Sequence, residues 1–131
     1  MPFDWRLFAA FSDQLRIDPN YRSEASFRAA ASRYYYAAHW TVRLLLESTL
    51  AITFEHEKVH TKVLVKCLKH VSPDMQRAGE RLKRLMKRRN DADYEAEPEF
   101  QKQACDSAGF DYLGLSGALD NYRRTLPPPS S

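Results

Sequence analysis

Glycine is scarce in this chain, four residues in 131. No alternating apolar and polar run bounded by turn dipeptides occurs, which argues against a fold built on sheets. Only two cysteines are present, Cys67 and Cys105, without paired spacing. They read as small buried apolar residues in a reducing compartment, and they offer no disulfide framework. No apolar run approaches the ~20 residues that a membrane span needs. The opening Met-Pro-Phe-Asp-Trp-Arg lacks the charged and apolar regions of a signal peptide, so the expectation is a soluble, cytoplasmic protein with no membrane partner. The net charge of +3 is too small for attraction of nucleic acid by the molecule as a whole. Any such affinity must come from a local patch.

What is present is apolar spacing of three and four, in every quarter of the chain. The spacing predicts an all-α fold, an antiparallel bundle of about five helices, in one domain over residues 1–126, followed by a disordered Pro/Ser tail at 127–131. Asp4 can cap a first helix carrying Trp5, Leu7, Phe8, Phe11 and Leu15, closed by Asp18-Pro19-Asn20. Ser23 starts a long second helix with Phe27, Ala30, Ala31, Tyr34, Ala38, Thr41 and Leu45 on one core stripe. Residues 48–57 fit either the end of that helix or an extended connection. A third helix over about Lys58 to His70 buries Val63, Leu64, Cys67 and Leu68. Ser72 as N-cap and Pro73 at the first helical position start a fourth, reaching about Asn90. Pro98 is expected to open the fifth, along Phe100, Ala104, Ala108, Tyr112, Leu115, Leu119, Tyr122 and Leu126. Its Gly109, Gly114 and Gly117 cost roughly 1 kcal/mol each relative to Ala, which close helix packing can offset.

The most informative stretch runs from Arg81 to Tyr94. Six of the nine residues Arg81–Arg89 are Lys or Arg, and Asp91, Asp93, Glu95, Glu97 and Glu99 follow with no positive charge among them. At ~100° per residue, Arg77, Arg81, Arg84 and Arg88 form an exposed strip roughly 60° wide. With Lys87 they are the candidate nucleic-acid contacts. Arg89 instead falls on the apolar meridian of Leu82 and Leu85, where a guanidinium must be paired or face a cleft. Asp93 is its partner at i+4 if the helix persists one more turn, and Tyr94 would then stand beside it. Part of the sorting by sign is explained without function. Basic residues complement the C-terminal end of a helix dipole, and acidic ones the next N-terminal end.

The second helix and the Arg89-Asn90-Asp91-Ala92-Asp93-Tyr94 turn together resemble a branch of the HEPN family, small helical bundles found among prokaryotic toxins, defence proteins and nucleotidyltransferase partners. The helix Glu24–His39 is similar to that branch's Arg-x3-Ser-Arg-x-Tyr-Tyr-Ala pattern, and the turn to its Arg-Asn-x-Ala-Asp-Tyr. The resemblance covers most of the chain. It implies a homodimer whose paired helix ends form a cleft, and, for active members, a metal-independent endoribonuclease. There an Arg followed after four to six residues by His supplies phosphate stabilisation and the base. Here Tyr94, Glu95 and Ala96 occupy the places where His would stand. Phenol near pKa 10 and carboxylate near 4 do not replace an imidazole poised near neutrality. The motif for ribonuclease activity is therefore incomplete at this turn, and the resemblance leaves both cleavage and binding alone open. Some members are silenced by adenylylation of a Tyr near the motif; Tyr94 is an acceptor here only by proximity.

Two further constellations stand out. His56-Glu57-Lys58-Val59-His60 fits the HExxH pattern of zinc proteases, with His56 and His60 as ligands, but Cys67 is too distant along the helix to complete the site. His39 shares a second face of the long helix with Arg28, Ser32, Tyr35 and Val42, from which it could contact the cleft, though an interface or a buried polar role suits it better. Arg89, Asn90, Asp93, Tyr94 and His39 are thus the candidate catalytic set, with no cofactor implied. The leading functional expectation is a HEPN-like homodimer of a toxin–antitoxin or defence type, binding RNA or a nucleotidyltransferase-type partner. The alternatives are a non-catalytic interaction module and a zinc hydrolase.

Overall fold

The computed structural model describes residues 2–128. It contains five helices, α1 (Arg6–Ile17), α2 (Glu24–Leu50), α3 (Val59–Leu68), α4 (Pro73–Tyr94) and α5 (Lys102–Arg124), with a 3₁₀ turn at Pro19–Tyr21. No strand occurs among the described residues, and the chain is an all-α bundle. α2 is its axis, packing against each of the other four helices. The expected stripe accounts for only part of its burial. Tyr35, Ala37, Val42 and Leu46 are fully buried on a second face alongside Ala30, Ala31, Tyr34 and Ala38. Alanines at 30, 31, 37 and 38 let neighbours approach closely. Each larger side chain such as Leu46 or Val42 contributes about 1.5–3 kcal/mol by leaving water.

Capping chemistry fixes the boundaries. The Ser23 hydroxyl accepts from the Ser26 N–H at the start of α2, and Ser72 accepts from Met75 with Pro73 at the first position of α4. α1 departs from expectation by one residue. Its N-cap is Trp5, while the Asp4 carboxylate accepts from the Arg6 backbone and guanidinium. The Trp5 ring stacks on Trp40 at 4.7 Å, fastening α1 to α2.

The undecided segment 48–57 does both things. α2 runs to Leu50 and stops at Ala51, which takes a left-handed conformation (φ 54°). Beyond it the chain is extended, because Glu47 accepts from the Phe54 N–H (3.0 Å), Arg43 donates to the Phe54 carbonyl (3.3 Å) and the Phe54 ring is buried. α3 starts at Val59, after a left-handed Lys58, and ends at Leu68, two residues short of His70. There His70 Nδ1 accepts from the Ser72 N–H and turns the chain into α4.

α4 reaches Tyr94, one turn beyond Asn90, and α5 begins at Lys102, not at Pro98. Phe100 explains the late start: its ring is buried against the core with the Arg28 guanidinium 5.4 Å from its centroid, which holds the preceding segment out of the helix. Close packing accompanies two of the α5 glycines. A Cβ at Gly109 would lie 3.1 Å from the Tyr34 hydroxyl, and one at Gly114 would lie 2.9 Å from the Arg81 guanidinium, whereas Gly117 faces open space. Pro127 and Pro128 follow α5 outside any helix; the rest of the expected tail, 129–131, lies outside the described residues.

Candidate functional site

The extra turn of α4 depends on a residue whose part the sequence does not reveal. Arg28, on α2, donates from Nη1 to the carbonyls of Asp91 (3.0 Å), Ala92 (2.8 Å) and Glu95 (2.7 Å), and from Nη2 to Ala96 (3.4 Å). Of these, the Ala92 carbonyl belongs to the last turn of α4, the Asp91 carbonyl also accepts from the Glu95 N–H at 3.2 Å, and Glu95 and Ala96 lie just past the helix end. A cation there also complements the negative end of the dipole. Glu24, one turn earlier on α2, holds the Arg28 Nε at 3.1 Å. Arg28 thereby fixes the position of Asp93 and Tyr94.

On this platform Arg89 reaches back across to α2. Its Nη2 donates to the hydroxyls of Tyr36 (2.7 Å) and Tyr94 (3.1 Å), and its Nη1 to the Asn90 side-chain oxygen (3.2 Å). Nε sits 3.1 Å from Asp93 but without hydrogen-bond alignment. Asp93 is also held by the Ser32 hydroxyl (3.1 Å). The guanidinium lies 5.1–5.9 Å from the ring centroids of Tyr35, Tyr36 and Tyr94. Burial opposes its charge, yet Tyr36, Tyr94 and Asp93 outweigh this and raise its pKa above the ordinary value. The expected i+4 pair is present, and the side chain is 17% exposed, as a place on the apolar meridian requires. Tyr94 is 69% exposed, so the cluster opens to solvent on that side.

A histidine from α3, His60, lies on the same tyrosines, with its ring 5.5 Å from that of Tyr35 and 6.1 Å from that of Tyr36. Beneath it lies buried His39, its ring tilted by 32° with centroids 4.3 Å apart. His39 therefore meets the Arg89 cluster only through His60 and Tyr35. Burial first, then the charges of His60 and Arg43, lower the His39 pKa to about 3, and its Nδ1 has no hydrogen-bond partner. His60 is lowered too, by burial and then by Arg89 and Arg43.

The tautomer of His60 follows from Tyr35. The Tyr35 side chain is buried, its pKa is raised by burial, and its hydroxyl has one partner, His60 Nδ1. A buried phenol that stays protonated must donate that proton. Nδ1 accepts it, and Nε2 carries the imidazole's own proton. In that tautomer His60 has an N–H to donate at Nε2. The site combines donors, Arg89, His60 and the Tyr94 phenol, with one partly shared carboxylate. Such a set offers several donors to an anion.

The arginine strip is only in part the free surface that the helical wheel suggests, with Arg77 and Arg84 exposed but Arg81 and Arg88 half-buried. Asp111, buried on α5, takes Arg81 at 3.0 Å, with Arg84 and Arg88 at 3.6 and 3.8 Å. α5 packs along this flank of α4, and one buried carboxylate draws three guanidinium groups inward. Arg77 pairs with Asp74, and Lys87 with Asp91 at 3.1 Å. Strip and Arg89 therefore belong to different flanks, one against α5 and the other against α2.

His56 lies in the turn before α3 and His60 in its first turn, so the HExxH string does not lie along one helix. No group of three His, Cys, Asp or Glu residues that could hold a metal occurs among the described residues. Cys67 and Cys105 are buried free thiols, pushed up by burial to about 12 and about 11. No described helix is long and apolar enough to cross a membrane. Fold and site together define the class as an all-α bundle with a tyrosine-ringed arginine at one helix end. No protein-family model, no curated protein and no solved structure matches the chain.

Proposed function

We propose that this protein is a HEPN-like homodimer of a toxin–antitoxin or defence type system that binds RNA phosphate at the Arg89 end without cutting it. The observation that carries the reading is the Arg89 guanidinium held by Tyr36 and Tyr94 beside His60, at an end where Tyr94 is exposed. Guanidinium and imidazole N–H groups take phosphate oxygens, and the Tyr94 ring offers a face for base stacking. The Nε2–H tautomer of His60 supports binding over cleavage, because the base that would take a 2′-hydroxyl proton is already occupied. Exposed Phe3, Leu7, Phe11 and Leu44 support self-association, and sedimentation should then give twice the 15.2 kDa mass of the chain.

The test pairs a binding with a cleavage assay on a single-stranded oligoribonucleotide. Wild type should bind it and leave it intact with or without chelator, and Arg89→Gln should weaken binding by at least about tenfold, the size of one charge-assisted contact. RNA cut by wild type but not by His60→Ala would replace this reading with a nuclease. The interaction-module reading is favoured by one observation, the Asp93 carboxylate 3.1 Å from Arg89 Nε, which offsets part of its charge. In that case a nucleotidyltransferase-type partner docks at the turn and RNA affinity is indifferent to Arg89.

A further inference from the structure

The groove between α4 and α5 is a second place where positive charge is left over. Two cavities of about 550 and 470 Å³ run along it, and Arg81 and Arg84 line both. Of the carboxylates at its edges, Asp106 is held by Lys102 (2.8 Å) and Arg16 (3.4 Å), and Asp120 by Arg123 (3.2 Å). Arg77 is matched by Asp74. Arg81, Arg84, Arg88 and Arg124 remain, facing only Asp111 and Glu80. Structural ion pairs alone do not call for this excess, since two carboxylates leave two of the four guanidinium charges unmatched.

The groove also has room and an aromatic edge. Glycine at 114 lets Arg81 lie along α5, because a Cβ there would meet its guanidinium at 2.9 Å, and a Cβ at Gly117 would meet nothing within 4 Å. Phe110 stands at the rim, 67% exposed, with the Arg81 guanidinium 5.1 Å from its centroid. A small inorganic anion would use the arginines and have no use for the phenyl ring. A row of guanidinium groups beside a solvent-facing aromatic is the arrangement that tracks a phosphodiester backbone and stacks a base.

We infer that the α4–α5 groove is a second nucleic-acid contact, holding a single strand with Arg84 and Arg124 on its phosphates and Phe110 against a base. The inference rests on the reading of the protein as an RNA binder but not on Arg89, which faces α2. Arg84, Arg124 and Phe110 are exposed, so their replacement leaves the core intact.

The experiment is anisotropy of a labelled, unstructured oligoribonucleotide over a salt series. Arg84→Ala with Arg124→Ala should reduce the slope of log affinity against log salt by roughly 1.4, two contacts at about 0.7 each. Phe110→Ala should weaken binding roughly tenfold with the slope unchanged. An unchanged slope in the double variant, or unchanged affinity in Phe110→Ala, overturns the inference. So does polyglutamate binding that the double variant abolishes while RNA fails to bind, since the groove then serves an acidic protein. Arg89→Gln runs in parallel: if it alone lowers RNA affinity, the groove fails and the Arg89 site stands, and if only the groove variants act, the Arg89 site fails and the groove stands.

Discussion

Replacing His39 by Gln should flatten the acid side of this protein's stability profile. His39 is 1% exposed, and burial, His60 and Arg43 together lower its pKa from 6.5 to about 3. The folded protein thus refuses a proton that the unfolded chain accepts below pH 6.5. For a depressed histidine the stability is present above the unfolded value and is lost as pH falls through the window from 6.5 to the folded value. Each unit in that window costs about 1.4 kcal/mol. Between pH 7 and pH 5 the loss from His39 alone comes to about 2 kcal/mol. His60 and His70 are lowered as well, chiefly by burial, and act with the same sign. Urea unfolding of wild type and His39→Gln at the two pH values isolates the effect, since the ring packing lost in the variant is common to both conditions. The wild type should lose about 2 kcal/mol more than the variant. Equal losses would refute the account of a buried neutral imidazole beneath His60.

Three other outcomes follow from the packing. Arg28→Met removes the donors to four carbonyls at the end of α4, so amide exchange over residues 91–96 should accelerate and stability fall by about 2 kcal/mol; protection equal to wild type would contradict the staple. Gly117→Ala should raise stability by about 0.5–1 kcal/mol while Gly79→Ala lowers it, because a Cβ at Gly79 would meet the Leu68 backbone at 3.1 Å; thermal melts shifting in the same direction would contradict the contrast. Asp111→Asn leaves three guanidinium groups without their carboxylate and should cost about 3 kcal/mol, read by chemical denaturation, with no change if the arginines are merely solvated.

Local signals carried the fold far. Ser23, Ser72 and Pro73 announce their helices because capping is a matter of adjacent atoms, and the three-and-four spacing is enough for an all-α bundle. Pro98 misled for the complementary reason: Phe100, two residues on, is drawn to Arg28 from another helix, and nothing local marks that contact. At the site the wheel placed Arg89 on the buried side and Asp93 as its i+4 partner, both within one helix. Tyr36 and His60 were beyond its reach, since they arrive from α2 and α3. The strip was legible in part: Arg77 and Arg84 are exposed as its spacing implies, while Arg81 and Arg88 are half-buried against Asp111. Its spacing is correct, but exposure depends on α5, and no feature of residues 77–88 reveals that Asp111 lies opposite. A clue did exist, an aspartate at a position of the final helix that the core spacing assigns to the buried side.

The central claim is that the Arg89 guanidinium meets an RNA phosphate at its end of the bundle. Nitrogen-resolved NMR of arginine side chains during titration with a single-stranded oligoribonucleotide tests it most directly, with Arg89→Lys assigning the resonance. The account requires the Arg89 Nη signals to shift and sharpen as phosphate replaces the long Asn90 contact, and Tyr94→Ala to weaken the titration. Arg89 signals that stay fixed while RNA binds would contradict it.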